Sequence, residues 1–138
     1  ASLVGSEMCI RDSIGTTARA ESAKLLVAKV REIAGGKPAF CTGDFNSNQN
    51  TEAYKTIAGS GILADSYVRC PSKTNGDWPT YNGYKYISTP PAAASRIDHV
   101  FVTPKDTKVV SWRIVNNSYN RKYPSDHFPV VIEWSLAE

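Results

Sequence analysis

Five polar side chains, Asp44, Asn46, Asp98, Asp126 and His127, are groups from which metal-assisted attack of water on a phosphate ester could be built. They fall in three short motifs, Gly43-Asp44-Phe45-Asn46, Arg96-Ile97-Asp98-His99 and Ser125-Asp126-His127-Phe128-Pro129-Val130, each at the border of an apolar run. A carboxylate can orient or deprotonate a water, and a neutral amide can donate to a phosphoryl oxygen without competing for a cation. A hard carboxylate oxygen such as that of Asp126 suits magnesium or manganese, and the imidazole of His127 can meet a non-bridging or attacking oxygen. The competing reading of GDFN and of Ser125-Asp126 is an ordinary turn, which leaves His127 a surface residue.

Asp44 and Asn46 are two positions apart, so they project to the same side if strand geometry persists through them. Asp98 lies inside the apolar stretch from Ile97 to Val102, an expensive place for an unpaired carboxylate. It needs a donor, and one of the two histidines in the chain is the natural choice. Strand alternation turns His99 to the opposite face and makes it structural. An Asp–His pair would fix the imidazole tautomer and favour its charged form.

The elements that must hold these residues alternate between helical and extended patterns. Thr16 or Thr17 opens an amphipathic helix with Ala23, Leu26, Val27, Val30 and Ile33 on one face, closed by Gly35-Gly36. A short buried strand from Lys37 to Phe45 delivers GDFN, and a second helix runs from Thr51 to Gly59. Leu63 to Val68 is a short strand or an irregular turn. Pro71 to Ala94 is predicted as a long ordered loop with an extended piece at Thr80 to Tyr86. Arg96 to Thr103 is a strand, Pro104-Lys105-Asp106 a turn, Lys108 to Val115 a returning strand, and Pro129 to Leu136 a last strand. The first thirteen residues, ASLVGSEMCIRDS, show no such period and read as a translated adapter, foreign to the domain at 14–138.

With 138 residues and 41% apolar content the chain can bury one core. It contains no apolar run long enough to span a membrane, and no compartment is assigned. A net charge of +3 suits an anionic substrate without specifying nucleic acid. The three cysteines lack metal-ligand spacing; Cys41 reads as a small buried side chain, with a Cys41–Cys70 disulfide as the less favoured alternative.

Taken together, GDFN, the RIDHVF strand and SDHFPV, in this order, resemble the C-terminal half of an endonuclease/exonuclease/phosphatase (DNase I-like) domain. The resemblance implies an α/β (α+β-like) fold, half of a four-layer α/β sandwich with a mixed or antiparallel sheet flanked by helices. It implies a divalent-metal-dependent phosphoesterase acting by in-line attack of water, with Mg2+ or Mn2+ as cofactor and a monomeric full-length protein. Residue by residue, Asp44 would hold or activate the water, Asn46 would contact the phosphate, Asp98 would pair with His127, His127 would stabilise the pentacoordinate phosphorane, and Asp126 would help bind the metal. Trp78, Tyr81 and Asn82, with Tyr84, Tyr86, Lys73 and Lys85, would meet the substrate from the long loop, although packing of that loop onto the sheet is the favoured account of its aromatics. Nucleic acid, a sugar phosphate and a phospholipid head group all fit as substrates.

The family's other half supplies an Asn, a Glu and a His-x-Asp element that have no counterpart in this sequence. The remaining sheet is therefore expected to expose an apolar face, and the isolated chain to be weakly stable and impaired in catalysis. The alternative is a non-catalytic module whose basic, aromatic loop binds nucleic acid or phosphate.

Overall fold

The computed structural model describes residues 2–4 and 12–137, with side chains from residue 15 onward. Its first sheet has the order β1-β2-β5-β3, from β1 (Ser2–Val4), β2 (Phe40–Asp44), β3 (Ala64–Asp65) and β5 (Asp98–Val102). The second has the order β4-β6-β7, from β4 (Lys73–Thr74), β6 (Thr107–Ile114) and β7 (Val130–Leu136). Helices α1 (Asp12–Ala34), α2 (Glu52–Ala58) and α3 (Ser66–Arg69) complete the fold. The mixed α/β architecture is the one expected.

α1 starts earlier than Thr16 and draws Asp12 and Ser13 into its first turn. It ends where Gly35 and Gly36 take positive φ values of 56° and 82°, a left-handed stop that a side chain would strain. Ala23 and Val30 are buried, whereas Ile33, expected on the same face, is 54% exposed. Ser2–Val4 pair in parallel with Phe40–Thr42, so α1 is the crossover of a β-α-β unit. α2 is capped as its sequence requires: the Thr51 hydroxyl accepts from Tyr54 N, and Gly59 N donates to Lys55 O at 2.9 Å.

β5 lies between β2 and β3, and its alternation divides the interior. Phe101 points to the helix side, into a core with Cys41, Ala53, Tyr54, Ile57 and Leu63. Val100 and Val102 point the other way, into a core with Trp112, Ile114 and Phe128 from the second sheet. Each fully buried large side chain contributes about 2–3 kcal/mol. Cys41 and Cys70 are free thiols in these two separate cores, which rules out the disulfide; burial pushes the Cys41 thiol up to about 11.

Two expectations are overturned here. β6 does not return beside β5: the Pro104-Lys105-Asp106 turn carries the chain across to the second sheet, where β6 pairs with β7. The described residues thus supply strands to both layers, and the sheet face expected to lie bare is covered by Trp112 and Phe128. A bulge between Val109 and Ser111 shifts the inward phase of β6 from Thr107 and Val109 to Trp112 and Ile114. The skipped residue, Val110, is 45% exposed.

Candidate active site

Asp44 ends β2, Asp98 begins β5, and the antiparallel register sets them opposite each other. Two carboxylates therefore stand at the same end of neighbouring strands. His127 reaches them from the loop before β7, which is laced to the long loop by Phe128 N to Thr80 O at 2.8 Å, Asn82 N to Asp126 O at 2.7 Å and Gly83 N to Asp126 O at 3.2 Å. Nδ1 of His127 lies 2.8 Å from Asp98 Oδ2, and Nε2 lies 3.8 Å from Asp44 Oδ2. The first is a hydrogen bond in which Nδ1–H donates; the second is an ion-pair distance that leaves Nε2–H free for a ligand oxygen. His127, not His99, is thus the partner of Asp98, as expected from strand alternation.

Burial lowers the proton affinity of His127, but the Asp98 hydrogen bond and the charges of Asp98, Asp44 and Asp126 outweigh it and raise the pKa above the usual imidazole value. Asp98 is also shifted up, chiefly by burial, against the opposing pull of His127 and of a Thr80 hydrogen bond. Of the two shifts, that of His127 fixes the charge of the pair, because three carboxylates surround one imidazole. His99 is the opposite case. Burial lowers its pKa, and the neutral ring holds Ser47 O at 2.8 Å through Nε2 while packing on Tyr54, Phe45 and Phe101.

Strand geometry does not persist to Asn46, which has φ +47° and donates its backbone N–H to Asp44 Oδ1 at 2.8 Å. The turn reading of GDFN holds: Oδ1 of Asp44 closes an Asx turn, while Oδ2 faces His127. The turn, rather than strand alternation, directs Asn46. Asp126 is half-buried beside His127. No cluster of three or more His, Cys, Asp or Glu able to hold a metal ion occurs among the described residues. Asp126 alone does not make a divalent-cation site, so the described residues do not by themselves fit one.

The long-loop candidates separate into two groups. Trp78 packs edge-on to Phe128 in the inter-sheet core, and Lys73 donates to Cys70 O at 2.6 Å over the Tyr67 ring. Asn82 is buried, its Nδ2 donating to Ser125 O at 3.1 Å and its Oδ1 accepting from Tyr84 N at 2.7 Å, which commits the amide to loop closure rather than to a ligand. Tyr81 is 50% exposed with its ring 5.1 Å from that of His127. A Cβ on Gly83 would meet the Tyr81 hydroxyl at 3.2 Å, so the glycine seats this ring. Tyr84 is 64% exposed, and Tyr86 stacks on Tyr123 beneath Arg121. The extended piece expected at Thr80 to Tyr86 shrinks to one bridge, Tyr81 with His127, because Gly83 and Tyr84 turn the chain at φ +59° and +60°.

Several positioning residues carry no motif signal. Gln49 ties the GDFN turn to the start of the Asp98 strand, donating to Ala94 O at 3.1 Å and accepting from Arg96 N at 3.2 Å. Arg96 lies over the Tyr67 ring and beside Asp65, which accepts from Tyr54 Oη at 2.7 Å. A buried Arg before Asp98 and a Gln shortly after Asn46 are the only sequence hints of this bracing.

The Endonuclease/Exonuclease/phosphatase family matches residues 10–127. The fold is similar to that of a mannosyl-6-phosphatase from Bacteroides thetaiotaomicron, with 37% identity and a TM-score of 0.78 over 88% of this chain and 47% of that one. It is also similar to the human Nocturnin catalytic domain with bound sulfate, with 23% identity and a TM-score of 0.64 over 92% of this chain and 44% of that one, a likeness of fold. Among curated relatives, Drosophila melanogaster Nocturnin is 27% identical over 86% of this chain and 22% of its own length. The chain therefore spans about half of these solved domains and about a fifth of that relative. With the family's match covering most of the sequence, and the carboxylates and histidine of its motifs gathered at one end of two strands, the chain belongs to the endonuclease/exonuclease/phosphatase family.

Proposed function

We propose that this chain carries the phosphate-handling half of a phosphate-ester hydrolase, in which His127 holds the charge that develops on the phosphoryl group. The observation that carries the reading is the imidazole suspended between Asp98 at 2.8 Å and Asp44 at 3.8 Å. Asp98 holds the ring by Nδ1 and keeps it charged, so Nε2–H is a donor aimed into the gap before Asp44. A phosphoryl oxygen entering that gap accepts from Nε2–H, and a water on the Asp44 carboxylate is oriented for in-line attack. Asn46, at the turn that Asp44 closes, is the proposed donor to a second phosphoryl oxygen. Tyr81 forms a wall against which the alcohol portion of the ester lies.

Three carboxylates against one imidazolium would repel a phosphate. This balance supports a divalent cation, Mg2+ or Mn2+, with Asp126 as one ligand and the others from outside the described residues. Such an ion, with Asp126 among its ligands, would neutralise charge and polarise the ester. The described residues do not complete its site, and the roles of Asp98 and His127 stand without it. Sugar phosphates are the first substrate class to test, since a relative 37% identical is named a mannosyl-6-phosphatase. Nucleic acid and phospholipid head groups follow.

The test joins this chain to the portion of the Bacteroides thetaiotaomicron phosphatase that it does not cover, and measures phosphate release from hexose phosphates, oligonucleotides and glycerophosphates. Release that depends on His127 and Asp44 is expected. A folded, metal-binding chimera whose turnover is indifferent to His127→Ala would refute the reading.

A further inference from the structure

Thr80 is fully buried at the crossing of the two segments that form the Asp98–His127 pair. Its Oγ1 accepts from Ile97 N at 2.9 Å and from Asp98 N at 3.1 Å. A threonine hydroxyl has two acceptor positions and one proton. With both acceptor positions taken by consecutive amides of the Asp98 strand, one proton remains on the hydroxyl, and the nearby Thr80 side chain opposes the upward shift that burial imposes on Asp98. Its backbone oxygen accepts from Phe128 N at 2.8 Å, and its N–H donates to Ser95 O at 3.3 Å. The next residue, Tyr81, bridges directly to His127. One side chain therefore grips the strand that bears Asp98, while its own backbone grips the loop that bears His127.

We propose that Thr80 is a positioning residue that sets the Asp98–His127 contact, acting through Asp98 and touching no substrate. Three independent attachments meet on this residue, so a shift of Thr80 moves the carboxylate relative to the ring. Valine has nearly the same shape and retains the backbone contacts, but it leaves two consecutive amides of the Asp98 strand without an acceptor. Serine restores both side-chain bonds. This hydroxyl is thus separable from the space that the residue fills. The catalytic consequence rests on the function proposed above; the geometric one does not.

The experiment compares Thr80→Val and Thr80→Ser in the 138-residue chain by proton NMR, reading the hydrogen-bonded Nδ1 proton of His127. The wild type and Thr80→Ser are expected to show that proton as a downfield resonance, and Thr80→Val to lose it while the amide signals of β6 and β7 stay in place. A folded Thr80→Val protein that keeps the resonance at its wild-type position overturns the assignment. If the valine variant does not fold, the Thr80 hydroxyl proton of the wild type decides. A slowly exchanging hydroxyl close to the Asp98 side chain supports the role, and a freely exchanging one overturns it. In the catalytically complete chimera, Thr80→Val should lower kcat about tenfold to a hundredfold with KM nearly unchanged, as for other groups that orient a functional residue. Loss of the resonance with full turnover would leave Thr80 in its place and overturn the catalytic reading of the pair.

Discussion

The two faces of β5 present the chain's two histidine environments, and they differ in almost every respect. On the helix side, His99 is buried among Tyr54, Phe45 and Phe101, is held neutral by desolvation, and uses its ring to fasten Ser47 to the sheet. On the other side, Asp98 receives His127, whose ring is partly open to solvent and kept charged by three carboxylates. The same imidazole is a packing element in one place and an electrostatic one in the other. The difference comes from burial and from the count of nearby carboxylates, not from the side chain. Adjacent positions on one strand can therefore separate stability from chemistry.

Breaking the His127 side should have the largest effect on turnover. His127→Ala in the chimera is expected to lower phosphate release at least about a hundredfold, as loss of one transition-state donor does. Breaking the His99 side should do the reverse. His99→Ala removes a buried hydrogen bond and the ring that fills the core, so a loss of about 2–4 kcal/mol is expected in urea unfolding, with little effect on kcat per folded molecule.

Acidity sharpens the contrast. The raised pKa of His127 stabilises the fold below the unfolded value of about 6.5, and that stabilisation is lost as pH rises through the raised value. The lowered pKa of His99 acts with the opposite sign: its contribution is whole above about pH 6.5 and is lost as pH falls toward the lowered value. Urea unfolding above about pH 6, clear of most carboxylate titration, should therefore show stability falling with pH in His99→Phe and rising with pH in His127→Asn. Parallel slopes in the two variants would contradict the assignment. The smallest effect is expected at Asp44, where the ion pair with His127 is 3.8 Å long and partly exposed. Asp44→Asn should change stability by less than about 1 kcal/mol, although it removes the proposed water-orienting carboxylate.

What could be read from the sequence followed how local the determining physics is. The Asp98–His127 pairing was legible because a carboxylate in an apolar strand must find a donor, and alternation eliminates His99. α2 was legible because Thr51 and Gly59 cap it within its own span. The fate of β6 was not, because a Pro-Lys-Asp turn after a strand serves a hairpin and a sheet crossover alike, and the choice is made by where Trp112 and Ile114 find partners. The bulge at Val110 was equally hidden, since it shifts the alternation without altering composition. At the site, Asn46 departs from strand geometry because Asp44 captures its amide, and Asn82 is committed to Ser125, more than forty residues away. Such loop contacts have no period to read.

The bonds that assemble the site also fix when it can appear during folding. Asp98 joins His127 across 29 residues, Thr80 joins Asp98 across 18, and Asn82 joins Ser125 across 43. Each requires a loop to close before any enthalpy is returned, so the pair belongs to the slow, late part of the folding reaction. A collapsed intermediate with α1 and α2 formed would contain every residue of the site and none of its geometry. Recovery of the His127 environment after dilution from denaturant should therefore lag the recovery of helical signal, making this one imidazole a clock for completion of the fold.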